Sequence, residues 1–370
     1  MNRGEFIAVI VKLFIGGMQF VTFDALKTTP VEGMDGKKGT FKRGFFVAFI
    51  LFCSVMLAFI PYVYLKRKNP KEVSSIDKKA VTRIALSGFC DACAQILVIQ
   101  GNAKISVSLL MILKASRAIF SAFLQVFWLK RRLHVYQIWS LVLCTGGLGL
   151  ASLASFLANH GSSSNLALGI SFVLMAEAFR SVRIVYDEKL MKSYNYEPCM
   201  IIALEGVYGT IISGSALIAV NAIEGPDMGS VENFANTIYM IDNSTILVVL
   251  LALFPIWVNG MYLSGIFVTK YVSAVFNAVL TVATVVVVWA YELVIYYAAD
   301  KNYGAPWNQY SYLQLIGFAL ITLATLLYDG TLKIPRLFHY GSASQIGIKQ
   351  TTDDEETTTV EGAEQKPVNA

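Results

Sequence analysis

Ten long apolar stretches punctuate the chain between Phe6 and Tyr328. They fall near 6–23, 44–65, 82–100, 106–129, 136–157, 167–188, 199–220, 246–268, 272–297 and 312–328. A bilayer core of about 30 Å is crossed by about 20 apolar residues in a helix, and these runs match that length. A membrane barrel would show alternating segments of about ten residues instead. The pattern therefore predicts an all-α membrane protein with ten transmembrane helices. Lys12 interrupts the first stretch and no clear small-residue cleavage site follows it, so that stretch reads as a retained span rather than a signal peptide.

Polar positions inside the stretches form a second pattern. A charge facing lipid near the bilayer centre costs roughly 2.5–3.5 kcal/mol. The sixth stretch carries Glu177, Arg180 and Arg183, so exposing all three would cost on the order of 8–10 kcal/mol. At about 100° per residue these three and Asp187 fall within an arc of roughly 120°. Such a face lines a polar cavity, or pairs along its own helix as Glu177–Arg180 and Arg183–Asp187. The third stretch places Asp91 and Gln95 on one face, and the fourth places Lys114 and Arg117 on one face. An ion pair from Asp91 to Lys114 or Arg117 is expected. Lys12 is expected to snorkel towards the cytosol. Glu205, Asn259 and Asn277 complete the candidate substrate-binding set.

Two segments resemble one another. Ile105-Ser106-Val107 opens the fourth stretch and Val272-Ser273-Ala274 the ninth; Gly146-Gly147-Leu148-Gly149 and Gly317-Phe318-Ala319-Leu320 mark the fifth and tenth. The unit is then five spans, and an odd number forces the two copies into opposite orientations, as an inverted repeat. The expected organisation is a first repeat over 1–160, a second over 161–340 and a tail over 341–370. Such a plan puts a substrate site near the midplane between the repeats. Gly16, Gly17, Gly146, Gly149, Gly206 and Gly209 are expected to let helices approach closely.

Composition agrees with the pattern. Of 370 residues 55% are hydrophobic and 15% charged, and the mean hydropathy is +0.57. The net charge of +5 points to no nucleic acid, because its basic residues sit mainly in loops. Lys66–Arg83, Lys130–Arg132, Lys189, Lys192 and Lys270 fall on one side of a ten-span plan, which favours both termini in the cytosol. Lys27, Lys37, Lys38, Lys42 and Arg43 run against that trend. The tail from about Gly341 is rich in Thr, Glu, Asp and Gln and is expected to be disordered. The sequon Asn243-Ser244-Thr245 stands almost at the start of the eighth stretch, where the membrane hinders glycosylation.

Chemistry of the enzymatic kind is missing from the sequence. His134, His160 and His339 fall at span ends or in loops, and no HExxH, GxSxG or P-loop pattern occurs. Cys90 and Cys93 form a CxxC on a helix without further ligands near, which reads as packing. No metal or cofactor is expected. Among the centre-zone groups Lys12, Lys114, Arg117, Arg180 and Arg183 outnumber Asp91, Glu177 and Glu205. A slightly positive cavity favours a small anionic or zwitterionic substrate. Burial of the three carboxyls makes proton coupling a further expectation, and a homodimer is carried as another.

The chain resembles the drug/metabolite transporter superfamily, in the F branch of the solute carrier 35 family (EamA-like), over roughly residues 8–332. Asp187-Glu188-Lys189, Pro198, Glu205-Gly206 and Gly209 carry the likeness most specifically. Cys90-Asp91, Leu113-Lys114-Ala115, Lys130-Arg131-Arg132-Leu133, Gly265, Val268-Thr269-Lys270, Ser273-Ala274 and Leu327-Tyr328-Asp329-Gly330 add to it. The resemblance implies ten helices, an inverted repeat, alternating-access transport and an endomembrane location, lysosomal, vacuolar or Golgi. The chain departs from the family in span nine, where relatives carry charges and it has Asn277, Thr281 and Thr284. Relatives carry uncharged groups where it has Glu177 and Arg183. The expected function is a secondary carrier. The rivals are a nucleotide-sugar antiporter and, in another class, a non-transporting membrane scaffold or receptor.

Overall fold

A computed structural model describes residues 3–71, 73–102, 104, 113–114, 116–130, 133–158, 166–298, 307–328 and 332. The tail over 341–370, the repeat marker Ile105-Ser106-Val107, and His160 and His339 lie outside the described residues. Met1–Leu332 forms one compact unit.

The first helix, α1, spans Arg3–Thr28. A hairpin follows, with β1 Pro30–Glu32 paired antiparallel to β2 Lys38–Thr40 in the register Pro30↔Thr40. Gly36 turns it with φ at +69°, a conformation glycine adopts without steric cost. Helix α2 (Gly44–Val55) continues through a 3-10 turn at Met56–Ala58 into α3 (Phe59–Lys68). Pro61 explains that turn: it has no N–H for the carbonyl of Leu57, so regular α-helical bonding cannot run through unbroken.

The chain goes on as α4 (Lys78–Asn102), α5 (Ser116–Trp128), α6 (Val135–Ala158), α7 (Leu166–Ser193) and α8 (Pro198–Ala222). Pro198 opens α8 at a position where its missing N–H costs nothing. A short helix, α9 (Phe234–Asp242), precedes α10 (Thr245–Tyr271), α11 (Ala274–Ala298) and α12 (Ser311–Tyr328). The side chains of Asn233 and Ser244 accept from Asn236 N and Leu247 N and so cap α9 and α10.

Among the described residues, seven stretches are long and apolar enough to cross a membrane, Gly44–Lys68 counting as one. They cover the first, second, third, seventh, eighth, ninth and tenth predicted spans. The remaining three differ for separate reasons. The fourth lies partly outside the described residues. The fifth lies in α6, a helix of 24 residues whose described apolar run is Val135–Ala151. The sixth is a helix of 28 residues whose own charges make it too polar to qualify by composition alone. The loops also hold more structure than their sequence suggested, namely the β1–β2 hairpin and α9.

Helix α6 packs along α12, α4 along α7 and α8, and α1 along α10 and α11. Helix α2 packs on α8 and α10, while α5 packs on α7 and α11. Close approach has a local cause at α2–α8. A Cβ on Gly206 would stand 2.6 Å from Met56 N, and one on Gly209 would enter the Phe52 ring. The α6–α12 contact corrects an expectation. Gly146 and Gly149 face open space, and it is Gly147 whose Cβ would stand 2.6 Å from the carbonyl of Gly317. The helix turns the outer two glycines of the cluster away from the partner.

One face of the bundle carries a polar clasp outside the spans. Arg43 Nη2 donates to Asp227 Oδ1 at 2.9 Å, and Asn236 Nδ2 donates to the same oxygen at 2.7 Å. Glu232 accepts from Phe45 N at 3.0 Å and Phe46 N at 2.7 Å. A carboxylate there satisfies the free amides at the start of α2 and complements its dipole. Burial pushes the Glu232 carboxyl above its ordinary value, outweighing those two bonds. Burial would raise Asp227 as well, but the bonds from Arg43, Asn233 N and Asn236 hold it below the ordinary value.

Candidate functional site

Helix α7 supplies the largest share of the buried charge. Its residues at i, i+3 and i+4 share a face, and that face meets α4, α5, α8 and α10. Two ionic groups result, one turn apart along α7.

The first centres on Glu177, whose side chain is fully buried. Arg117 Nε on α5 donates to Glu177 Oε2 at 2.6 Å. Arg180 Nη1 lies 3.4 Å from Glu177 Oε1, so the expected pair along the helix forms. Arg180 Nη2 also donates to Gln95 Oε1 on α4 at 2.7 Å. Lys114 is placed over the Phe20 ring of α1, 4.6 Å from its centroid. Among the described residues no carboxylate lies within ion-pair distance of Lys114.

The second group centres on Arg183, whose side chain is 13% exposed. It donates through Nη2 to Glu205 Oε2 at 2.7 Å and through Nε to Glu205 Oε1 at 3.1 Å. This two-point grip is the strong form of a guanidinium–carboxylate contact. Asp187 lies 3.6 Å from Arg183 Nε, as expected along the helix, and Asp91 lies 3.5 Å from Nη1. Tyr262 of α10 donates to Asp91 Oδ2 at 2.7 Å and lies under the guanidinium at 4.7 Å. Ser87 Oγ stands within hydrogen-bond reach of both Asp187 Oδ1 and Glu205 Oε1.

Two expectations change here. Asp91 pairs with Arg183 rather than with Lys114 or Arg117, because α4 packs on α7 and brings Arg183 alongside it, while Arg117 is taken by Glu177. Lys12 does not snorkel. It is only 1% exposed and donates to Asn277 O at 2.9 Å, to Asn277 Oδ1 and to Thr281 Oγ1 at 3.1 Å. Packing of α1 against α11 encloses it, and the three acceptors match the three donors of an ammonium. Among the described residues no carboxylate pairs with it.

Asn277 thus joins the polar core through Lys12, and its Nδ2 donates to Thr269 Oγ1 at 2.8 Å. Asn259 stands apart, donating from Nδ2 to the carbonyl of Ser54 at 3.2 Å. Sequence reasoning left Ser87, Tyr262, Thr281 and Glu188 out of the site. Ser87 was within reach of a simple signal, since it lies four residues before Asp91 on the same helix face. Glu188 accepts from Gln125 Nε2 at 3.2 Å, Lys192 Nζ at 2.8 Å and Ala274 N at 2.8 Å, so it caps the start of α11.

The fold and these buried charges define a polytopic helical membrane protein. The family model described as Solute carrier family 35 matches residues 11–330, and the chain belongs to that family. Membership points to a transmembrane solute carrier rather than an enzyme. Solute carrier family 35 member F6 of Rattus norvegicus is 24% identical over 340 residues, covering 86% of this chain and 88% of its own. The Homo sapiens protein of the same name is also 24% identical, over 86% of this chain and 89% of its own. An uncharacterized protein of Schizosaccharomyces pombe is 22% identical over 74% of this chain and 83% of its own. A solved crystal structure superposes with a TM-score of 0.60 at 9% identity, over 90% of this chain and 98% of that one. That likeness concerns the fold alone.

Proposed function

We propose that this protein is a secondary carrier that moves a small anionic or zwitterionic metabolite across an endomembrane by alternating access. Its plan is ten helices in two inverted five-helix repeats, 1–160 and 161–340, with both termini in the cytosol. Spans one to ten are then α1, α2–α3, α4, α5, α6, α7, α8, α10, α11 and α12.

Helix pairing supports the repeat. Exchanging each span for the one five places away turns α4–α7 into α10–α1, α4–α8 into α10–α2, and α5–α7 into α11–α1. All of these pairs are in contact, as are the self-mated pairs α2–α8, α5–α11 and α6–α12. Contacts that recur under that exchange are what an inverted repeat produces.

The observation that carries the functional reading is where the polar contacts run. Arg117–Glu177, Gln95–Arg180, Asp91–Arg183 and Lys12–Asn277 each join a helix of the first repeat to one of the second. Carriers built from inverted repeats hold substrate at that junction. Lys12 and Lys114 sit there without a paired carboxylate among the described residues, so the junction favours a negative group. The substrate site takes in Asp91, Gln95, Lys114, Arg117, Glu177, Arg180, Arg183, Glu205 and Asn277, with Asn259 at its edge.

One observation favours the scaffold reading. Glu177, Arg180 and Arg183 are all engaged in protein ion pairs. A thermal-shift screen of purified protein against nucleotide sugars, nucleotides, amino acids and organic anions separates the two, because a ligand that binds the native state stabilises it. Stabilisation by one class, lost in Arg180→Ala and Lys114→Ala, supports the carrier; no stabilisation by any class overturns the site and favours the scaffold.

A further inference from the structure

We infer that Asp187 and Glu205 hold a single exchangeable proton between them, bridged by Ser87, and that this trio is the point at which proton movement couples to the carrier. The second clause rests on the carrier reading; the first does not.

Hydrogen-bond accounting leads to it. A serine hydroxyl has one hydrogen to give and two lone pairs to receive with. Ser87 Oγ meets Asp187 Oδ1 at 2.5 Å and Glu205 Oε1 as well. With both carboxyls ionised, the hydroxyl satisfies one oxygen and the other meets a lone pair. With one carboxyl protonated, the acid donates to Oγ and Oγ donates to the remaining carboxylate, so every contact carries a hydrogen. Both carboxyl residues are buried, Glu205 completely and Asp187 to within 3%.

Charge accounting agrees. Asp91, Asp187 and Glu205 surround one guanidinium, that of Arg183. Three ionised carboxylates would leave two uncompensated negative charges in a low-dielectric interior, an arrangement buried groups avoid by taking up protons. Arg183 on α7 and Asp91 on α4 are the charged groups facing the trio. Among the described residues, Cys90 on α4, Tyr186 on α7 and Tyr262 on α10 are the other titratable ones. The nearby cations Lys12 and Arg180 are engaged by Asn277 with Thr281, and by Glu177 with Gln95. On deprotonation the acid's proton leaves to water and the group of three carboxyls gains one negative charge. That charge pulls harder on Arg183, which ties α7 to α4 and α8, so the protonation state biases the junction between the repeats.

The test is infrared spectroscopy of the purified, lipid-embedded protein at neutral pH, which sees a protonated carboxyl directly and needs no substrate. Wild type shows a carboxylic-acid C=O band that is lost in Asp187→Asn and in Glu205→Gln, because the surviving carboxylate then keeps Arg183 and the Ser87 proton. Ser87→Ala, a mild change that keeps both carboxyls, moves the band. Spectra in which all three variants match wild type overturn the shared proton. Vesicles with an imposed pH gradient test the coupling. Gradient-driven uptake that survives in Asp187→Asn overturns the coupling and leaves the shared proton, read from the wild-type band, in place. A band without uptake of any solute overturns the carrier reading and leaves the proton assignment intact.

Discussion

Removing Glu177 should harm the fold more than removing Arg117, although the two form one ion pair. The reason lies in what each loss leaves behind. Glu177 is fully buried and serves two cations, Arg117 at 2.6 Å and Arg180 at 3.4 Å. Breaking a buried pair by removing one partner costs about 3–5 kcal/mol, because the other charge stays buried without compensation. Glu177→Gln leaves Arg117 and Arg180 both facing a neutral amide, so its cost falls at the upper end of about 5 kcal/mol. In Arg117→Gln the carboxylate keeps Arg180, which also holds Gln95 at 2.7 Å; the cost falls to about 3 kcal/mol or less. The double variant Glu177→Leu with Arg117→Met removes that pair but leaves Arg180 with Gln95 alone, so it is expected to recover only part of the Glu177→Gln loss, to about 3 kcal/mol below wild type. Reversible unfolding in mixed micelles by SDS titration measures all three. Equal costs for the two single variants, or a double variant no better than Glu177→Gln alone, would refute the reasoning.

Other outcomes follow from the same geometry. Gly209→Ala should destabilise by about 1–3 kcal/mol, because its methyl enters the Phe52 ring across the α2–α8 contact; micelle unfolding that shows no loss contradicts that packing. Lys12→Met removes a buried ammonium held by neutral acceptors, so it should leave stability unchanged or higher while lowering uptake of anionic solutes in vesicles. Unchanged anion uptake would take Lys12 out of the site. The clasp has a signed pH response. Glu232 is raised above its ordinary 4.5, so its contribution is full below that value and is lost as pH rises through the raised one. Asp227 is held below 3.8, so its contribution is present above 3.8 and is lost as pH falls through the lowered value. Thermal unfolding against pH should fall on the acid side through Asp227, and Glu232→Gln should flatten the decline that begins above pH 4.5.

Contacts within one helix were legible in the sequence, and contacts between helices were not. Glu177–Arg180 and Arg183–Asp187 follow from spacing along α7. The partner of Arg117 is 60 positions away and that of Lys12 is 265 away, and no periodicity reports which helices lie side by side. For the same reason spacing does not single out Arg183 as the partner of Asp91, nor Gly147 over Gly146 at the α6–α12 contact. Burial of Lys12 is hidden because a long lysine side chain can carry its charge towards a span end, and only the position of α11 closes that route. Glu188 escaped notice as a cap because the helix it starts comes 86 residues later.

The crowding of roles onto α7 bears on how members of this family diversify. Residues 166–193 supply Glu177, Arg180, Arg183, Asp187 and Glu188, and each is answered by a side chain or amide on a different helix. A chimaera that borrows this one helix from a relative imports a charge pattern without its counterparts, and should misfold more often than one that exchanges α4, α5, α7 and α8 together. Specificity in such a protein is inherited as a matched set of helices, and substitutions on α7 would be expected to be followed by compensating ones at Asp91, Gln95, Arg117 and Glu205.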